Sequence, residues 1–157
     1  MFSDAMPEDL IEIKHKIPVV GMAAAAGFDP GLQAINELWE GSSDFVLYVG
    51  PNPNGVFGLR ITGDSMAPAL INGDVIAVKM ELPMTGKVCV VNHRTDGILC
   101  KKWYWRNDIV RLDSINPSGK NYKWTKAEFI AEQPLVWQLR VEALIMRTDI
   151  AAAFSEF

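Results

Sequence analysis

Apolar positions along this chain gather in short runs and seldom recur at helical spacing. Phe45–Val49, Val56–Ile61, Val75–Lys79, Lys87–Val91, Ile98–Trp105, Ile109–Leu112 and Leu135–Met146 are rich in β-branched and aromatic residues. Such side chains suit a pleated, half-buried surface. Turn formers separate the runs: Pro51-Asn52-Pro53-Asn54-Gly55, Asn72-Gly73-Asp74, Thr85-Gly86, Asp96-Gly97 and Pro117-Ser118-Gly119. Ile17–Met22 adds a short strand ahead of them, followed by the small residues Ala23 to Gly27. Only Pro30–Trp39 places apolar residues near helical spacing, and it predicts one short helix. Residues 1–16 are polar and aperiodic and read as an arm or linker, with residues 148–157 as a C-terminal tail. The pattern predicts a mostly-β domain over residues 17–147, its short strands forming a sandwich or partly closed barrel. Neither an internal repeat nor a helix-turn-helix pattern is present.

Composition adds limits. The 157 residues are 49% hydrophobic and 22% charged, enough for one domain with a real core. No run of eighteen apolar residues exists, so no helical membrane span is expected. Met1 to Leu10 holds three acidic residues and no apolar core of a signal peptide, and a cytoplasmic protein is expected. The net charge is -4, and basic residues are scattered apart from Lys14/Lys16 and Lys101/Lys102. Phosphate contacts dominate nucleic-acid affinity, so this chain alone is not expected to bind DNA. Cys89 and Cys100 have neither metal nor disulfide spacing and read as small buried hydrophobes; no cofactor or metal is expected.

The candidate chemistry begins at Gly63-Asp64-Ser65-Met66, a turn after the run Val56–Ile61. Gly63 permits a backbone conformation that exposes a serine at a strand end. Backbone N–H groups freed by a tight turn can face a developing oxyanion. A lone turn serine is usually just a turn residue, so a base is needed. The two histidines, His15 in the polar arm and His93 in a turn beside Arg94, read as solvated residues. A lysine replaces histidine when its amine is neutral near pH 7, which burial promotes. Ile98-Leu99-Cys100-Lys101-Lys102-Trp103 sets two lysines in an apolar strand, and alternation allows only one of them to face the serine. Alternation does not say which.

These residues together resemble the LexA/UmuD family of self-cleaving proteins. The resemblance rests on Leu59-Arg60-Ile61-Thr62-Gly63-Asp64-Ser65-Met66, Ile71-Asn72-Gly73-Asp74-Val75-Ile76-Ala77-Val78, Gly86-Lys87-Val88-Cys89-Val90-Val91 and Ile98 to Trp103. Order and spacing match, including 36 positions between Ser65 and Lys101. The resemblance implies a LexA-like C-terminal peptidase fold that forms a homodimer. It implies Ser65 as nucleophile, Lys101 as the neutral base with Lys102 as its outward neighbour, and backbone N–H groups of Asp64 and Ser65 as oxyanion hole. It implies cleavage of the domain's own upstream loop at an Ala-Gly bond, and Ala23-Ala24-Ala25-Ala26-Gly27 supplies small side chains that suit an extended substrate. Ala26–Gly27 is therefore the expected scissile bond. An activated recombinase filament (RecA-like), formed after DNA damage, is the implied partner.

Three roles follow from the resemblance and its rivals. The first is the regulatory domain of a LexA-like transcriptional repressor under SOS-type control, or else a UmuD-like accessory protein of a translesion polymerase. A signal-peptidase-like protease uses the same dyad but normally carries a membrane anchor. A non-catalytic dimerisation or sensing module would line an interface or pocket with Trp103-Tyr104-Trp105, Trp124 and Trp137, although such aromatics are more often core or dimer contacts, and would use Leu135–Met146 as dimer edge.

Overall fold

The computed structural model describes residues 14–27, 29, 32–41, 44–49, 53–63 and 66–146. Nine strands and three short helices follow in the order β1 (Lys14–Gly21), α1 (Met22–Ala26), α2 (Leu32–Gly41), β2 (Phe45–Val49), β3 (Val56–Arg60), β4 (Val75–Lys79), β5 (Val88–His93), β6 (Gly97–Arg106), β7 (Ile109–Ser114), β8 (Tyr122–Thr125), α3 (Lys126–Glu132) and β9 (Leu135–Met146). The mostly-β expectation is met. The strands form one open sheet in the order β2-β1-β3-β4-β9-β5-β6-β7-β8, so it does not close into a barrel. All neighbours are antiparallel except β1 and β3.

Three helices replace the single one expected. The Pro30–Trp39 expectation corresponds to Leu32–Gly41. α3 and β8 lie in a stretch whose short, mixed pattern gives no clear period. α3 is fixed at its start by a capping box: Glu128 N donates to Thr125 Oγ1 at 3.0 Å, and Thr125 N donates to Glu128 Oε1 at 2.8 Å. β1 begins at Lys14, within the stretch read as an arm, because its polar first residues pair with β2 from Lys14↔Val49 onward. The remaining arm, residues 1–13, the last domain position, 147, and the tail 148–157 lie outside the described residues.

β9 is not a free edge. It pairs with β5 from Leu135 to Arg140, then with β4 from Arg140 to Met146, with register shifts at Val75/Ile76 and Ala77/Val78. Its twelve residues thus join two half-sheets, and the irregularities let one strand follow both twists. Among the described strands β2 and β8 occupy the edges.

The central strands are covered on both faces. On one side Val20, Phe57, Leu59, Ile76, Val90 and Cys100 pack with Ala25 of α1 and with Met66 and Leu70. On the other side Cys89, Val91, Trp103, Val110, Leu112 and Tyr122 form a second cluster, joined by Phe129 of α3. Gly58 sits where β1, β3 and β4 draw together tightly. A Cβ there would stand 3.0 Å from Val19 Cγ2 and 3.2 Å from Val75 Cγ1. As expected, Trp103 and Trp137 are core residues, whereas Trp105 remains 39% exposed.

Candidate active site

Asp64 and Ser65 lie outside the described residues; the turn on either side of them is described. Gly63 has φ +83°, a left-handed value that glycine adopts without strain. Its N–H donates to Asn72 Oδ1 at 2.9 Å. Below it, Ile61 N donates to Asp74 O at 2.7 Å and Gly73 N to Ile61 O at 2.8 Å. The Asn72-Gly73-Asp74 turn thereby clamps the exit of β3. After the serine, Met66 is buried and Leu70 N donates to Met66 O at 2.9 Å. Ala69 and Leu70 also line a cavity of about 540 Å³ with Ile76, Val88, Ile115 and Val141.

Lys101 is 8% exposed, while Lys102 beside it faces solvent. Alternation along β6 puts the two on opposite faces, and both Cys100 and Lys101 are buried because both faces are covered. The Lys101 amine lies on the side of the second cluster. Its Nζ donates to Lys120 O at 2.7 Å and stands 5.7 Å from the Tyr122 ring centroid. Burial holds the Lys101 pKa below its ordinary value, and the nearby Lys120 ammonium acts in the same direction. Cys100 and the Asp96 carboxylate oppose that shift. An amine that gives up its proton more readily can receive one from a hydroxyl.

The alanine segment differs from the extended loop expected. Met22–Ala26 is a short helix ending at Gly27, whose N–H donates to Ala24 O at 3.1 Å. Alanine has the highest helix propensity, but five residues form no stable helix alone, so tertiary contacts hold this one. α1 packs against β1, β3 and β6. Ala25 is fully buried, Thr62 N donates to Met22 Sδ at 3.2 Å, and Asn92 Nδ2 donates to Ala26 O at 3.1 Å. Ala25, Met66 and Cys100 belong to one core cluster, whereas the Lys101 side chain leaves β6 on the opposite face, toward Tyr122 and the Lys120 carbonyl.

Both cysteines are free and buried, as the sequence suggested, with thiol pKa values pushed up by burial, that of Cys100 to about 12. His93 is not the solvated turn residue expected: it ends β5 with its side chain 12% exposed, and its Nδ1 accepts from Thr95 N at 3.2 Å and Asp96 N at 3.1 Å. Four participants were not legible beforehand: Asn92, Asp96, Lys120 and Tyr122. Asp96 could be read only as a turn former, and Lys120 contributes a backbone carbonyl, for which side-chain pattern carries no signal. Among the described residues no helix is long and apolar enough to cross a membrane. No group of three or more His, Cys, Asp or Glu among them is placed to hold a metal ion.

A family model described as Peptidase S24-like matches residues 18–133. A search of curated proteins found no match.

Proposed function

The chain belongs to the Peptidase S24-like family, and from that premise we propose that it is the self-cleaving regulatory domain of a LexA-like repressor, cutting its own Ala26–Gly27 bond with a Ser65–Lys101 dyad. The observation that carries this reading is Lys101: a strand lysine 8% exposed, with its pKa lowered by burial.

In this reading neutral Lys101 accepts the Ser65 hydroxyl proton as Oγ attacks the Ala26 carbonyl carbon. Backbone N–H groups of Asp64 and Ser65 hold the resulting oxyanion. The protonated amine then delivers its proton to the Gly27 nitrogen as the peptide bond breaks. Water hydrolyses the Ala26 ester and frees Ser65. Peptidases bind substrate extended, so α1 must first unwind and release Ala26 O from Asn92. The helix itself adds little to that cost; the contacts of Ala25, Met22 and Ala26 with the core set it, and tethering makes the reaction unimolecular once they are released. The activated recombinase filament would act on that step, on a homodimer of this chain.

Purified protein held at about pH 9–10, near where lysines titrate, should yield one new N-terminus at Gly27. Ser65→Ala and Lys101→Ala should each abolish the product, and Lys102→Ala should leave it largely intact. An intact wild-type chain after prolonged incubation rejects self-cleavage, and a dead Lys102→Ala with an active Lys101→Ala rejects the assigned base.

A further inference from the structure

Around the Lys101 amine stands a set of side chains that the proposed cleavage does not employ. The carbonyl of Lys120 accepts from Lys101 Nζ at 2.7 Å. The same residue sends its own ammonium to Asp96 Oδ2 at 3.3 Å. Tyr122 Oη donates to that carboxylate oxygen as well. The Tyr122 ring lies beside both ammonium groups, 5.7 Å from Lys101 Nζ and 4.8 Å from Lys120 Nζ. Asp96 sits in the β5–β6 turn, where its own N–H donates to His93 Nδ1, and the His93 ring packs on Tyr122 at 5.0 Å. One carboxylate therefore ties together the β5–β6 turn, the start of β8 and the segment whose carbonyl seats Lys101.

A lysine has a long stem with much rotamer freedom to lose, so its amine is only as well placed as its partner. That partner belongs to residue 120, whose side chain is 68% exposed. An exposed ion pair contributes little alone. The Tyr122 bond to Asp96 is partly buried, and it supplies the firmer half of the tie.

We propose that Asp96 is a positioning residue for the Lys101 base, holding Tyr122 and Lys120 so that the Lys120 carbonyl fixes the amine. This rests on the reading of Lys101 as the proton acceptor. The charged and titratable groups around that amine are Cys89 and His93 of β5, Cys100 of β6, Asp96 of the turn, and Lys120 and Tyr122. Their effects oppose one another. The Asp96 carboxylate steadies the amine but favours its charged form, whereas the Lys120 ammonium disfavours it. Position and proton release can therefore be separated by variant.

Asp96→Asn should slow self-cleavage at its alkaline plateau by roughly threefold to tenfold, the size of one lost hydrogen bond. It should also move the pH midpoint of the rate downward, since a nearby anion is gone. Lys120→Met should lower the plateau too, but move the midpoint upward. Tyr122→Phe keeps the ring and the fold, and should lower the plateau with a much smaller change in midpoint. The titration of Lys101 itself is followed by ¹³Cε NMR in Ser65→Ala protein, assigned by its loss in Lys101→Arg. There the Asp96→Asn and Lys120→Met midpoints should move in opposite directions, whether or not the wild type cuts itself. Unchanged Lys101 titration in both variants, or shifts of the same sign, overturns the proposal. So does an Asp96→Asn plateau equal to wild type. A wild type that never cleaves, with the NMR shifts as stated, overturns the self-cleavage reading and leaves the seating of Lys101 standing.

Discussion

Gly63→Ala isolates what the turn before Ser65 contributes. Gly63 has φ +83°, and a Cβ added there meets no heavy atom of the described residues within 4 Å. The cost is then backbone strain alone, about 1–2 kcal/mol for a left-handed alanine. In a domain of this size each kcal/mol lowers Tm by about 2–4 °C. Gly86 is a matched control, with the same φ of +83° and equally open space, in a turn that does not carry the serine. Both alanine variants, made with Ser65→Ala to prevent cutting, should lose similar Tm in thermal denaturation. Their self-cleavage rates, measured with Ser65 intact, should separate. In the proposed mechanism the turn after residue 63 must present the attacking group, and a shift of about 1 Å at a reacting group costs roughly 10²-fold in rate. Gly86→Ala should cleave within about twofold of wild type, because its turn holds neither the serine nor the lysine, and the Gly86 N–H meets β6 at the Trp103 carbonyl. Equal slowing of both variants refutes the reasoning, since the rate would then follow global stability. A Gly63→Ala protein that loses Tm but cleaves normally refutes it as well, because the turn would hold its shape without glycine.

Lys101 also gives the fold a pH dependence of predictable sign. Its folded pKa lies below the ordinary 10.5, so between those two values the unfolded chain binds more protons than the folded one. Stability of Ser65→Ala protein should therefore rise with pH across that window, and adding Lys101→Met should flatten the rise in urea titrations; an unchanged slope refutes the assignment. Thr125→Ala removes the capping box of α3 and should cost about 1 kcal/mol, read as a lower urea midpoint with an unchanged m-value. A loss below a few tenths would show that Phe129 packing alone places the helix.

The strand pattern was legible because the runs are short, rich in β-branched and aromatic residues and bounded by turn formers, even where both faces are buried. Phe45–Val49, Val75–Lys79 and Leu135–Met146 coincide with β2, β4 and β9. β8 and α3 were not legible. β8 is four residues long, too short to show a period, and α3 is announced only by Thr125 and Glu128 three apart. Asp96 and Tyr122 were missed because their meeting depends on two segments 26 positions apart.

By itself the sequence determined the chemistry on offer: a serine after Gly63, a lysine pair in an apolar strand, a run of alanines before Gly27, and strands enough for a mostly-β core. These are properties of residue type and local spacing, which the chain carries wherever it folds. Only the tertiary structure decided which surfaces those residues meet. Leu135–Met146 has the composition of a pairing edge, yet β4 and β5 both pair with it, and no local signal reports a strand's neighbours. The alanines are helical because Ala25 finds a core and Ala26 O finds Asn92. Lys101 differs from Lys102 because one face of β6 at that point is roofed by Tyr122 and the Lys120 segment, and the other neighbour meets water. Burial belongs to the folded surface, and burial is what lowers the proton affinity of a lysine.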